Sequence, residues 1–182
     1  AEGLKQPPAP AASIRLVSRP GQPRIVWRFS DGKPGHDNQS LGLVDALERR
    51  IDIEVCDVPV FKRAGIWLDL LYRRFGDGTL LPDPWLMVGA GHATHLPMLT
   101  ARRARGGKAI VVMSPDLPKS LFDLCLIPDH DNPQPQPNVL VTRGSLNRMC
   151  RVSATGAEQG LIMIGGPSKH YHWNHHVVAD QI

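Results

Sequence analysis

Three stretches of this sequence set glycines beside side chains able to move a proton or hold an anion. The first is Ser30–Leu43, SDGKPGHDNQSLGL, where Asp31, Gly32, Lys33, Gly35, His36, Asp37 and Asn38 lie between an apolar run and a helix-like pattern. The second brings Gly89, Gly91 and His92 to the same kind of junction, and the third holds Gly165, Gly166, Ser168 and Lys169. Glycine admits positive φ and close approach of a ligand to the backbone. The free N–H groups and dipole of a helix start favour an anion. Histidine exchanges a proton near neutral pH, which makes His36 the candidate general base. One glycine in a βα turn serves geometry alone. Three such loops, two with an adjacent histidine, point to a cleft at the carboxyl ends of strands.

The same spacings exclude other chemistry. Gly32-Lys33-Pro34-Gly35 is not closed by GK[ST], and Lys33 precedes the second glycine, so it is not placed as a P-loop lysine. Thr94 stands where the last glycine of a GxGxxG loop would be. Tyr72 is followed by Gly76 and Tyr171 by His175, so no YxxxK pair supports a short-chain dehydrogenase or an epimerase. Asp37 is the expected helix N-cap, with Asn38 as its competitor. Lys169, with the Ser168 hydroxyl and loop N–H groups, suits a diphosphate. His170, His172, His175 and His176 are dense, but with no HExxH and no nearby cysteine a metal site is not expected.

These residues need a scaffold, and the hydropathy pattern supplies one. Strands are predicted at Arg24–Phe29, Ile51–Val58, Trp85–Val88, Lys108–Ser114, Phe122–Pro128 and Asn138–Thr142. Helices are predicted over Asn38–Arg50, over Phe61–Phe75, and from His92 to about Arg105, where Pro97 fits only a first turn. Short apolar strands alternating with helices predict an α/β fold: a Rossmann-like parallel sheet with helices on both faces. Residues 1–22 read as a flexible Pro/Ala-rich tail and 23–151 as the Rossmann-like domain. Residues 152–182 read as a linker and the truncated start of a second such domain, with Gly160–Gly166 as its first strand.

The 182 residues carry a formal charge of +4, with 42% hydrophobic and 21% charged residues. This suits phosphate-bearing ligands or an anionic membrane surface, while no basic run suggests nucleic acid. Cys56, Cys125 and Cys150 lack CxxC spacing, which argues against a disulfide scaffold and for a reducing compartment, and the two that lie in apolar strand-like runs are expected to be buried thiols. No segment approaches the roughly 20 apolar residues of a membrane span, and the start lacks the apolar region of a secretory signal. Helix Phe61–Phe75 mixes Trp67, Leu68, Leu70, Leu71 and Tyr72 with Lys62, Arg63, Arg73 and Arg74. It reads as a core-facing helix or as one lying on an anionic membrane.

SDGKPGHDNQSLGL, GAGHATHLPML with GGKAIVVMSP, LFDLCLIPDHD, NVLVTRGSLN and LIMIGGPSKHYHW together resemble the elongated-mitochondria type of mitochondrial fission family, over about Ile25 to Trp173. That family is related to glycosyltransferases of the GT-B fold, whose two Rossmann-like domains enclose the ligand cleft. The resemblance implies that this chain holds the N-terminal domain and the opening of the second. Gly32, Gly35 and His36 are similar to the acceptor-side loop of the peptidoglycan-precursor N-acetylglucosaminyltransferase, although Pro34 replaces a small flexible residue. Gly165-Gly166-Pro167-Ser168 resembles that enzyme's second-domain glycine loop. The implied function is a metal-independent, glycosyltransferase-like protein, cytoplasmic or peripheral at the inner membrane face. It would take a nucleotide-sugar co-substrate or a phosphorylated acceptor, and no cofactor. The alternative is a non-catalytic membrane-associated adaptor, since plant members are described as recruiting a dynamin-like protein to mitochondria. A nucleotide-sugar epimerase is the weaker alternative.

Overall fold

A computed structural model describes residues 21–61, 65–150 and 173–180. Its contacts divide the chain into two units, Ala1–Met149 and Cys150–Ile182. In the first unit, β1 (Arg24–Ser30), β2 (Ile53–Pro59), β3 (Leu86–Ala90), β4 (Lys108–Val112), β5 (Leu124–Pro128) and β6 (Val139–Thr142) form one sheet in the order β2-β1-β3-β4-β5-β6. Every pairing is parallel. The central β3 is buried along its whole length, whereas the edge strands β2 and β6 are largely half-exposed.

Alternation along β1 sorts the two faces of the sheet. Trp27 and Phe29 join Met87, Val111 and Ile127 on one face, packed against Met98 and Ala101 of α3 (His92–Arg105). Val26 joins Val88, Val112 and Leu126 on the other, packed against Val44 of α1 (Pro34–Glu48). Burial on both faces is why these strands read as apolar runs. Arg28 shares the face of Val26 yet is only 7% exposed. Its guanidinium holds Asp57 of β2 through Nε at 2.7 Å and Nη2 at 2.8 Å, and Asp37 of α1 through Nη1 at 3.0 Å. Burial disfavours the Arg28 cation, but the bonds and charges of Asp57 and Asp37 outweigh it and raise its pKa. One buried cation therefore ties the first turn of α1 to two strands.

Three local expectations are corrected. Helix α1 begins at Pro34, not Asn38, and its N-cap is Lys33, with no side-chain cap bond. Proline fits the first helical position because its missing N–H has no partner there. Asp37 is thus inside the helix, facing Arg28, and neither it nor Asn38 caps. Pro97 is the sixth residue of α3, not part of its first turn. It is buried there and lines a small cavity with Val58, Phe75 and Thr100. The helix expected over Phe61–Phe75 is confined among described residues to α2 (Ile66–Leu71), which Tyr72 caps and left-handed Arg73 (φ 56) ends.

Cys125 is buried, Cys56 half-buried and Cys150 exposed. Among the described residues of the second unit, α4 (His175–Ala179) is capped by Asn174, whose Oδ1 accepts from His176 N at 3.0 Å. The predicted strand Gly160–Gly166, with His170 and His172, lies outside the described residues.

Candidate functional site at the switch between β1 and β3

From β1 the chain continues to β2 on one side, while β3 and the later strands lie on the other. In an open parallel sheet, a crevice forms beyond the carboxyl ends of the two strands where this direction changes. The loops after β1 and β3 meet at that point.

The loop after β1 is closed by its own side chains. Ser30 Oγ accepts the N–H of Gly32 at 3.1 Å, and Asp31 Oδ1 accepts the N–H of Lys33 at 3.2 Å. Gly32 takes φ +73, which lets the chain turn sharply into α1. The Asp31 side chain is only 4% exposed, and its Oδ2 lies 2.9 Å from His36 Nδ1. Burial disfavours that carboxylate. The hydrogen bond from His36, the N–H of Lys33 and the charges of His36 and Lys33 outweigh burial and lower its pKa. An ionised carboxylate only accepts, so Nδ1 carries the hydrogen and Nε2 is left as the basic nitrogen. No described residue is hydrogen-bonded to Nε2.

The loop after β3 receives that imidazole. Gly91 adopts φ 87 and ψ 150, and a Cβ there would overlap the His36 ring. Glycine is required twice, for the backbone and for the contact. Thr94 closes the first turn of α3, its Oγ1 donating to Gly91 O at 2.8 Å. His92 pairs through Nδ1 with Asp116, and both side chains are largely exposed. Asp116 follows β4 by way of Met113, whose φ of 80 is left-handed. His95 lies one turn further along α3, 3% exposed, edge-on to both His92 and Phe122. Its pKa is lowered to about 4, chiefly by burial, with the charges of His92 and His36 acting in the same direction and Asp116 opposing them.

The structure thus gathers Asp31, Gly32, Lys33, Gly35, His36, Gly91 and His92 at one rim. It does not gather the rest of the sequence-selected set. Asp37 is committed to Arg28, and Asn38 is exposed on α1. Gly89 lies within β3, where a Cβ would meet Thr94 Oγ1 and Met98 Sδ, so it makes room for α3 rather than for a ligand. Lys33, although at the rim, has an exposed side chain whose Nζ lies 3.9 Å from Asp31. Gly165, Gly166, Ser168 and Lys169 lie outside the described residues.

Sequence reasoning missed Arg28, His95 and Asp116. Arg28 was signalled as a cation inside an apolar strand, and His95 by its spacing of three from His92 on a helix. Asp116 has no local signal, because its contact exists only once β3 and β4 pair. Among the described residues no cluster of histidine, cysteine or acidic side chains is placed to hold a metal ion. No described helix is long and apolar enough to cross a membrane.

No curated protein matches the chain, and no solved structure matches it. A family model described as "Mitochondrial fission ELM1" does match, over residues 34–182, from the first residue of α1 through the third glycine loop. With most of its length covered by that model, the chain belongs to the mitochondrial fission ELM1 family.

Proposed function

We propose that this chain is the acceptor-side part of a glycosyltransferase-like protein and that His36 is its general base. The observation that carries the reading is the buried Asp31 carboxylate bonded to His36 Nδ1 at 2.9 Å, beside Gly91 at the strand-order switch. A base held in one tautomer by a buried carboxylate is the arrangement that activates a hydroxyl. Nε2 would take the acceptor's proton while its oxygen attacks the anomeric carbon. The bond from that carbon to the nucleotide diphosphate breaks, and the diphosphate leaves with the electron pair. Asp31 would stabilise the imidazolium that forms.

The loop after β1 suits a hydroxyl better than a phosphate, because Ser30 and Asp31 already occupy the N–H groups of Gly32 and Lys33. Anion binding is left to Gly165, Gly166, Ser168 and Lys169, because the Asp116 carboxylate already pairs with His92 at the start of α3. Loop N–H groups and a lysine can stabilise a leaving diphosphate without a metal.

Thermal-shift titration of the full-length protein with uridine, guanosine and thymidine diphosphate-sugars tests the reading. One of them raises the Tm, and turnover with that donor falls at least about a hundredfold in His36→Ala while donor stabilisation persists. No stabilisation by any nucleotide-sugar would remove the transferase reading. The second reading, a non-catalytic membrane-associated adaptor, is favoured by the exposed face of α2.

A further inference from the structure

We infer that α2 and the end of α3 form a surface that docks on an anionic lipid bilayer, independently of any chemistry at His36. Helix α2 buries none of its residues fully. Trp67, Leu68, Leu71 and Tyr72 are each between 57% and 64% exposed. Scattered apolar residues on a surface are ordinary, but a contiguous aromatic and aliphatic face marks an interaction site.

The charges around this face select the partner. Trp67, Leu70 and Leu71 line a groove of about 810 Å³ with Leu99, Leu121, Arg73, Arg102 and Arg103. No carboxylate is among the described residues lining it. The acidic residue of α2, Asp69, lines instead a separate small cavity, with Val58 and Asp77. Arg102 is committed to Asp123 at 3.0 Å, so it adds little free charge. Arg73, Arg74 and Arg103 remain. Left-handed Arg73 ends α2 and donates from Nε to Arg103 O at 3.3 Å, which joins the two helix ends. Arg74 lies over the Tyr72 ring at 5.8 Å.

Apart from Ser120 the lining is apolar side chains and arginines, so its charge complementarity is to an anionic surface. Tryptophan and tyrosine settle at the headgroup level of a bilayer, with the acyl boundary below and polar groups above. Flanking arginines meet the phosphates of acidic lipids. The face is the pattern of a helix lying in the interface, shortened to two turns and supported by α3.

Flotation of the full chain with vesicles tests this. The protein is expected to float with vesicles of equal parts phosphatidylcholine and phosphatidylglycerol and to stay in solution with phosphatidylcholine alone. Binding should weaken as salt rises. Trp67→Glu and Leu71→Glu change exposed residues, so folding should persist, and each should abolish flotation. Arg103→Glu should weaken binding at least about fivefold, while Arg50→Glu, which lies in a different depression beside Ile51, leaves it unchanged. Unaltered flotation of Trp67→Glu overturns the inference. So does failure of the parent chain to float, including the case where it self-associates through this face instead. The donor titration above is read without lipid, so either result stands without the other.

Discussion

The loops after β1 and β3 share a plan: an apolar strand, a glycine at positive φ, a histidine at or near the helix start, and an aspartate in reach of its Nδ1. They differ in what surrounds the aspartate. Asp31 is 4% exposed and also bonded to the backbone of its own loop, whereas Asp116 is 67% exposed and reaches His92 from another strand's loop. The first pair has a fixed geometry and little competition from water. The second is a solvent-exposed contact, worth little by itself. The glycine–histidine dipeptide is common to both loops; the buried carboxylate holding the ring is what sets His36 apart.

The largest expected effect breaks the contact that joins the two loops. Gly91→Ala adds a Cβ where the His36 ring lies and forces a side chain onto a backbone of φ 87 and ψ 150. Strain and overpacking together should cost about 4 kcal/mol in urea denaturation. Gly32→Ala meets no atom within 4 Å of its new Cβ and bears only the cost of φ +73, about 1 kcal/mol. Equal losses in the two variants would mean that Gly91 serves the backbone alone.

The next effect is carried by His95. Its folded pKa is about 4 against an ordinary value of 6.5, so unfolding takes up a proton between those values. The lowered pKa means that stability is full above pH 6.5 and declines as pH falls towards 4. The slope approaches ~1.4 kcal/mol per pH unit, for a total near 3 kcal/mol. Denaturation midpoints measured across that window should lose this slope in His95→Leu. A slope that persists would place the titration on another group.

Much of this was legible in the sequence, and the parts that were not share a cause. Strand positions could be read because each strand is buried on both faces or flanked by turn residues, as at Leu124–Pro128 between Phe122 and the Asp129 turn. The start of α1 was misread because Asp37 is a strong capping type and only the fold reveals the buried Arg28 that claims it. Likewise His36 and Asp31 were selected from one short loop, but their bond to each other was not foreseen. Asp116 belongs to a loop 24 residues beyond His92 (116 − 92), and parallel pairing of β3 with β4 brings it there. Local chemistry is written in local sequence, and contacts across a parallel sheet are not.

The smallest effects separate the two aspartates directly. Asp31→Asn keeps the shape but removes the charge that fixes the His36 tautomer, and should cost about 2 kcal/mol because the carboxylate is buried and bonded. Asp116→Asn should cost no more than about 0.5 kcal/mol, since both partners are exposed. Acid titration gives an independent check. The folded pKa of Asp31 is lowered, so its contribution is present above the ordinary carboxylate range and is lost as pH falls through the folded value. That window lies below the one assigned to His95, so the two can be read from one stability profile. The low-pH step should vanish in Asp31→Asn and persist in Asp116→Asn. If both variants lose it, or neither does, burial of the carboxylate is not what distinguishes the two histidines, and His36 has no better claim to the proton than His92.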